Sequence, residues 1–173
     1  MTRLAAPITA LFFTALPALS QEASGSVTGM MAYQAHDWQI IQTKGEKGTR
    51  WHDTGDTSVE VRLAAREGPE AIADAPDIVL SFETSVRGAE AQARDLTITV
   101  PQPGEAAPLI ATPTNSDITL TALSLEGNVV VVSGDFTAVL SPEQSDRIVL
   151  DDAEEAVMID GNFQASVPRA AQD

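Results

Sequence analysis

The chain has 173 residues, with 25 acidic against 10 basic side chains, a formal net charge of −15 and no cysteine. Such a charge repels nucleic acid and anionic lipid head groups, which excludes partners held by long-range attraction to phosphate. Without cysteine there is no disulfide and no thiol-borne lipid anchor within the sequence, so the fold must rest on its core.

Met1-Thr2-Arg3 is a short basic start, and residues 4–16 are almost wholly apolar. Ala18-Leu19-Ser20 then puts small residues at the two positions a signal peptidase reads. This layout predicts a secretory signal peptide over residues 1–20, cleaved before Gln21. The apolar run carries Pro7 and Pro17 and falls short of the ~20 residues of a spanning helix. The expectation is a periplasmic or secreted protein, soluble and not inserted in the membrane after cleavage. Residues 21–173 would form one domain and bury about 70% of the extended-chain surface. Losing Arg3 with the leader leaves that domain more acidic still.

Along the mature chain, period-2 alternation dominates. Strands are predicted at residues 27–33 and 38–43, with a hairpin tip at Lys44-Gly45-Glu46-Lys47-Gly48. In residues 57–63, Val59, Val61 and Leu63 share one face while Ser58, Glu60 and Arg62 share the other. Strands at 78–84, 96–100 and 118–121 follow, the last two with threonine on the polar side, as in an antiparallel sheet facing water. Residues 69–76 and 88–94 are each compatible with a turn of helix, too short to change the fold class. Pro101-Gln102-Pro103-Gly104 and Glu126-Gly127-Asn128 are turns, and residues 129–140 and 157–167 are the last two strands. About eight strands without a sustained helical period predict an all-β antiparallel sandwich or open barrel.

These last two strands echo each other. Val132-Ser133-Gly134-Asp135-Phe136 corresponds to Ile159-Asp160-Gly161-Asn162-Phe163, 27 residues on. Glycine inside a strand marks a bulge or a close backbone approach. The pair reads as two neighbouring strands, bulged alike, that seat two core phenylalanines. Val129–Val132 is uncharged and β-branched, which calls for a central, covered strand. With Val132, Gly134, Phe136, Gly161 and Phe163, and with Trp38 in the first hairpin, the chain resembles a loose group of uncharacterised exported β-sandwich proteins of Gram-negative bacteria. That resemblance implies an envelope location and a β-sandwich, and carries no catalytic residues.

Candidate chemistry is sparse. His36-Asp37-Trp38 and Trp51-His52-Asp53 each place a histidine beside an acid and an indole. With a hairpin tip at 44–48, His36 lies about 13 Å along the strand from the residue opposite His52. That is too far for one zinc ion. Asp53-Thr54-Gly55 matches the core of the aspartic-protease triplet but occurs once, where that chemistry needs two carboxylates. It reads as a polar turn. Glu143, Asp146, Asp151, Asp152, Glu154 and Glu155 crowd one connection against the single base Arg147. Clustered oxygens suit calcium, with Asp146, Asp151, Asp152, Glu154 and Glu155 as ligands, although the spacing lacks the calcium-loop pattern. A solvated, charged connection explains the same residues. Tyr33, Trp38 and Trp51 hold a large share of a 5% aromatic content and could form a stacking face for a saccharide or peptide.

No nucleophile elbow, phosphate loop or dinucleotide fingerprint is present. The sequence is read as an exported, monomeric envelope module that binds or supports a partner rather than catalyses. Its cofactor is none, or calcium, and its partner an envelope protein or saccharide. A hydrolase with scattered catalytic carboxylates is the competing class.

Overall fold

Alternation of buried and exposed side chains builds the molecule strand by strand. The computed structural model describes residues 23–41, 48–68, 75–86, 92–104, 106–142 and 156–170. They contain no helix and ten strands: β1 (Ser24–Met31), β2 (Gln34–Ile40), β3 (Arg50–Asp53), β4 (Ser58–Glu67), β5 (Ile78–Ser85), β6 (Ala93–Val100), β7 (Leu109–Ala111), β8 (Ser116–Glu126), β9 (Val129–Leu140) and β10 (Val157–Pro168). One antiparallel sheet runs β7-β6-β5-β4-β2-β1-β10-β9-β8, with β3 also paired to β4. The expected all-β antiparallel fold is thus a single sheet that curls into a nearly closed barrel.

A few side-chain and backbone hydrogen bonds draw the two edges of the sheet together. Ser116 Oγ at the start of β8 donates to Leu96 O on β6 at 2.7 Å. Above it, Ile110 of β7 exchanges two backbone hydrogen bonds with Ser141, just past β9. Asn115 Nδ2 donates to Val139 O at 2.9 Å, tying the β7–β8 connection to β9. These contacts cover much of the edge that an open sheet would leave unpaired.

The inward row of β4 is Val59, Val61, Leu63 and Ala65, all fully buried. Leu80 and Phe82 of β5, Ile98 of β6, Phe136 of β9 and Phe163 of β10 complete the filling. The Phe163 ring lies 5.6 Å from that of Phe82 and 6.5 Å from that of Phe136, tilted as aromatic pairs prefer.

The echo strands pair with each other. Gly134 faces Phe163 and Gly161 faces Phe136 in an unbroken β9–β10 register. The expected twin bulges at the glycines are therefore replaced by close packing. A Cβ at Gly161 would stand 2.3 Å from Thr28 O, and one at Gly134 would stand 2.5 Å from Thr119 O. The bulge in this region lies instead on β8, where Leu120 and Ala122 face the consecutive residues Gly134 and Ser133. β9 is flanked by β8 and β10, as the Val129–Val132 run requires.

The first hairpin differs from expectation. β1 and β2 join through Ala32-Tyr33, both with positive φ (51° and 65°), the backbone of a two-residue type I′ turn. β2 and β3 do not pair with each other. Trp38, Gln39 and Ile40 pair with Glu67, Arg66 and Ala65, while Arg50 to Asp53 pair with Arg62 to Val59. The two strands succeed each other along one edge of β4, so β4 holds in register what local turn chemistry suggested was a hairpin. Between them the buried Thr49 fills the ladder. Its hydroxyl donates to Ala64 O at 3.1 Å and accepts from Ala64 N at 2.9 Å. Residues 93 and 94, part of a segment compatible with a helical turn by sequence, are in β6.

Candidate functional site

The strand alternation of β3 turns Trp51 and Asp53 to one side, toward the end of the barrel where β10 leaves the sheet. Past Pro168 the chain runs beside β3, with Arg169 bridged in parallel to Trp51. Arg169 N donates to Asn128 O at 2.9 Å and Ala170 N donates to Trp51 O at 2.8 Å. Trp51 Nε1 donates to the same Asn128 carbonyl at 3.1 Å. The β8–β9 turn, with Gly127 at φ 63°, thereby anchors both the indole and the chain end. Arg169 lays its guanidinium 5.1 Å from the centroid of the Trp51 ring and forms an ion pair with Asp53. Cation–π contact and ion pair fix one guanidinium from two directions.

These residues border an open cleft of about 310 Å³, which Asp56, Val86 and Leu125 also line. Arg169 and Asp53 neutralise each other, so Asp56 leaves the mouth with a surplus negative charge beside two apolar side chains. That chemistry suits an amine or guanidinium carried on an apolar body. Mouths of β-barrels commonly hold such sites.

A second, shallower cleft of about 230 Å³ lies along β4 to β6, next to Thr54. Register aligns His52, Glu60, Glu83 and Arg94 in one row across four strands. His52 Nε2 is 3.6 Å from Glu60 Oε2, and Arg94 Nη2 donates to Glu83 Oε1 at 2.9 Å. Thr54 Oγ1 donates to the same Glu83 oxygen at 3.1 Å. The hydrogen bond from Arg94, helped by Thr54, holds the Glu83 carboxyl below the usual carboxylate range. A glycosidase acid must stay protonated near neutrality, so Glu83 is tuned the opposite way.

The three aromatic candidates do not share a face. Trp38 (2% exposed) and Trp51 (3%) are core residues, while Tyr33 (99%) stands alone at the β1–β2 turn. The stacking face expected of Tyr33, Trp38 and Trp51 is corrected accordingly. Alternation on β2 and β3 points both indoles inward, where burial gains most for large rings. His36 stacks on Trp38 with centroids 4.8 Å apart, and its Nδ1 lies 3.4 Å from Glu67 Oε2. His36 and His52 are on separate strands with separate acid partners. Asp53 of the Asp-Thr-Gly triplet is committed to Arg169. Among the described residues, no three histidine, aspartate or glutamate side chains are grouped to hold a metal. Asp146, Asp151, Asp152, Glu154 and Glu155, the calcium candidates, lie outside the described residues, as do Glu143 and the leader at residues 1–20.

Sequence reasoning missed Arg169, Asp56 and Asn128. Arg169 is 116 residues from Asp53 along the chain, and no local pattern joins them. One signal was available: Arg169 is the sole base after Arg147, at the end of a predicted strand. Comparison with family models, curated proteins and solved structures finds no match to this chain.

Proposed function

We propose that the chain is an exported protein of the cell envelope that works as a non-catalytic binding module, with the barrel mouth as its binding surface. The observation that carries this reading is the Arg169–Trp51–Asp53 clamp, set at an open cleft on a barrel whose interior is filled by side chains. Export rests on the leader pattern of residues 1–20. β1 begins at Ser24, so a cut before Gln21 would leave every strand among the described residues intact. The partner favoured by the mouth is a polypeptide segment that presents a lysine or arginine beside an apolar side chain. A saccharide is less suited, since neither indole offers a free face.

Two measurements test the proposal. N-terminal sequencing of protein recovered from the periplasm or medium should begin at Gln21. An intact Met1 in a cytoplasmic fraction would overturn the export reading. A short apolar peptide carrying one lysine should change Trp51 emission saturably, and its acetylated form should not. Asp56→Asn should abolish the response. Equal responses to both peptides, or none, would remove the mouth as the binding surface.

A further inference from the structure

Closure of the barrel reaches the start of β8 and stops there. β8 ends the sheet path and is hydrogen-bonded to β9 alone. Ser116 meets Leu96 of β6 through its side-chain hydroxyl. Among the described residues, no backbone hydrogen bond joins residues 117–126 to anything but β9. On an edge strand, the N–H and C=O groups of alternate residues point away from the one partner. β8 thus presents a row of unpaired donors and acceptors from Ile118 to Glu126.

The side chains of the same strand are incompletely covered. Ile118, Leu123 and Leu125 face Phe136, Val132 and Val130 of β9. Those three β9 side chains are buried. Ile118 and Leu123, with Leu120, are only partly buried against the core, and Leu125 is 38% exposed. The core is therefore complete on the β9 side of this ladder and incomplete on the β8 side. One more strand beside β8 would pair the backbone row and cover the leucines together, as when an extended peptide adds to a sheet edge. Leu125 also lines the mouth cleft, so the open edge runs into it.

Charge selects the occupant. From Ser116 to Leu140 the chain carries Asp117, Glu126 and Asp135 and no lysine, arginine or histidine. Asp117 and Glu126 stand at the two ends of the open row. Between them, β8 is bulged where Leu120 and Ala122 face consecutive residues of β9. Bulge and charges both discourage pairing with a second copy of this edge, and a second copy brings a further net charge of −15. A strand with lysine or arginine at its ends meets both acids with opposite charge.

We propose that β8 is a docking edge for an extended segment of another polypeptide, apolar at alternate positions and basic at its ends, which adds to the sheet as a further strand. Backbone hydrogen bonds hold the segment, its apolar residues cover Leu120, Leu123 and Leu125, and Asp117 and Glu126 select its charge. The edge stands on its own observations and does not rest on the lysine site at the mouth.

The test is amide hydrogen exchange of the purified protein, read residue by residue by nuclear magnetic resonance. The probe is a synthetic peptide that alternates valine and threonine between two terminal lysines. Saturating peptide should slow the edge-facing amides between Ile118 and Glu126 by about tenfold or more. Amides of β10, which is paired on both sides by β1 and β9, should not change. The same peptide N-methylated throughout keeps its side chains and loses its donors, and should give no protection. Replacing its lysines by glutamates should weaken binding about tenfold. Leu123→Ser should weaken binding as well, and the N-methylated peptide decides the matter if that variant does not fold. Asp56→Asn removes the charge at the mouth and should leave the protection of β8 in place, so failure of the lysine site and failure of the edge are told apart. Unchanged exchange on β8, or equal protection by the N-methylated peptide, would overturn the proposal. Protection of β8 that grows with protein concentration alone would overturn it too, by giving the edge to a second copy.

Discussion

Phe163 on β10 lies directly across from Gly134 on β9, and its ring reaches within 3.0 Å of where a Cβ on Gly134 would stand. Phe136 and Gly161 repeat the relationship two pairs along. Each ring covers the glycine of the other strand, and the two glycines let neighbouring backbones approach where the barrel bends. Gly134→Ala and Gly161→Ala should each destabilise by about 1–3 kcal/mol through overpacking against backbone oxygens. Gly55→Ala, where a Cβ meets open space, should be near neutral. Urea denaturation of the three variants checks the ordering.

Phe163 is the ring shared by both aromatic contacts. Phe163→Ala removes it from the centre of the filling and should cost about 3–5 kcal/mol. Phe163→Leu should recover a large part of that loss. Thermal unfolding monitored by near-ultraviolet dichroism reads both.

Thr49 joins β2 to β3 through one hydroxyl that serves both the amide and the carbonyl of Ala64. Thr49→Val keeps the shape and leaves the Ala64 amide without that partner. The expected cost is about 1–3 kcal/mol, as for a buried polar group left unsatisfied. Thr49→Ser should retain most of the stability. Amide exchange at Ala64 should quicken in the valine variant and stay slow in the serine variant.

Arg94 depresses the Glu83 pKa in the folded state. A depressed carboxylate contributes stability that is full above its unfolded value, about 4.3, and is lost as pH falls through the folded value. Stability measured from pH 7 down to pH 2 should therefore show a smaller acid-side loss in Glu83→Gln than in the parent. Because the pair is exposed, the difference should be small and should shrink in high salt. Identical pH profiles would show that the pair is not coupled to folding.

Arg169 holds Trp51 under its guanidinium. Arg169→Ala should expose one face of the indole, shift its emission to the red, and cost about 1 kcal/mol from the combined cation–π and ion-pair contacts. An unchanged spectrum would mean that other groups cover the ring.

The strands were readable because side-chain direction alternates along them irrespective of partner. Val59, Val61 and Leu63 announce their buried face locally, and Val129 to Leu140 is long and β-branched enough to set its own limits. Gly127-Asn128 carries its turn chemistry in two residues. The short β3 and β7 carried no such pattern, because three or four residues are too few to show a period. Residues 44–48 suggested a hairpin for sound local reasons, yet β2 and β3 both pair with β4. Pairing is chosen by the whole edge available, which local composition does not record.

The sequence by itself determined the class: alternating apolar residues, no cysteine and a strong negative charge yield an antiparallel β-domain that must be held by its core. Only the tertiary structure decided that the sheet curls into a nearly closed barrel, that Trp38 and Trp51 are buried while Tyr33 is exposed, and that Arg169 meets Asp53. The physical reason is that alternation is a property of a single strand. Curvature, closure and the meeting of Trp51 with Arg169 depend on which strands become neighbours, and that is settled by packing between residues far apart in the chain.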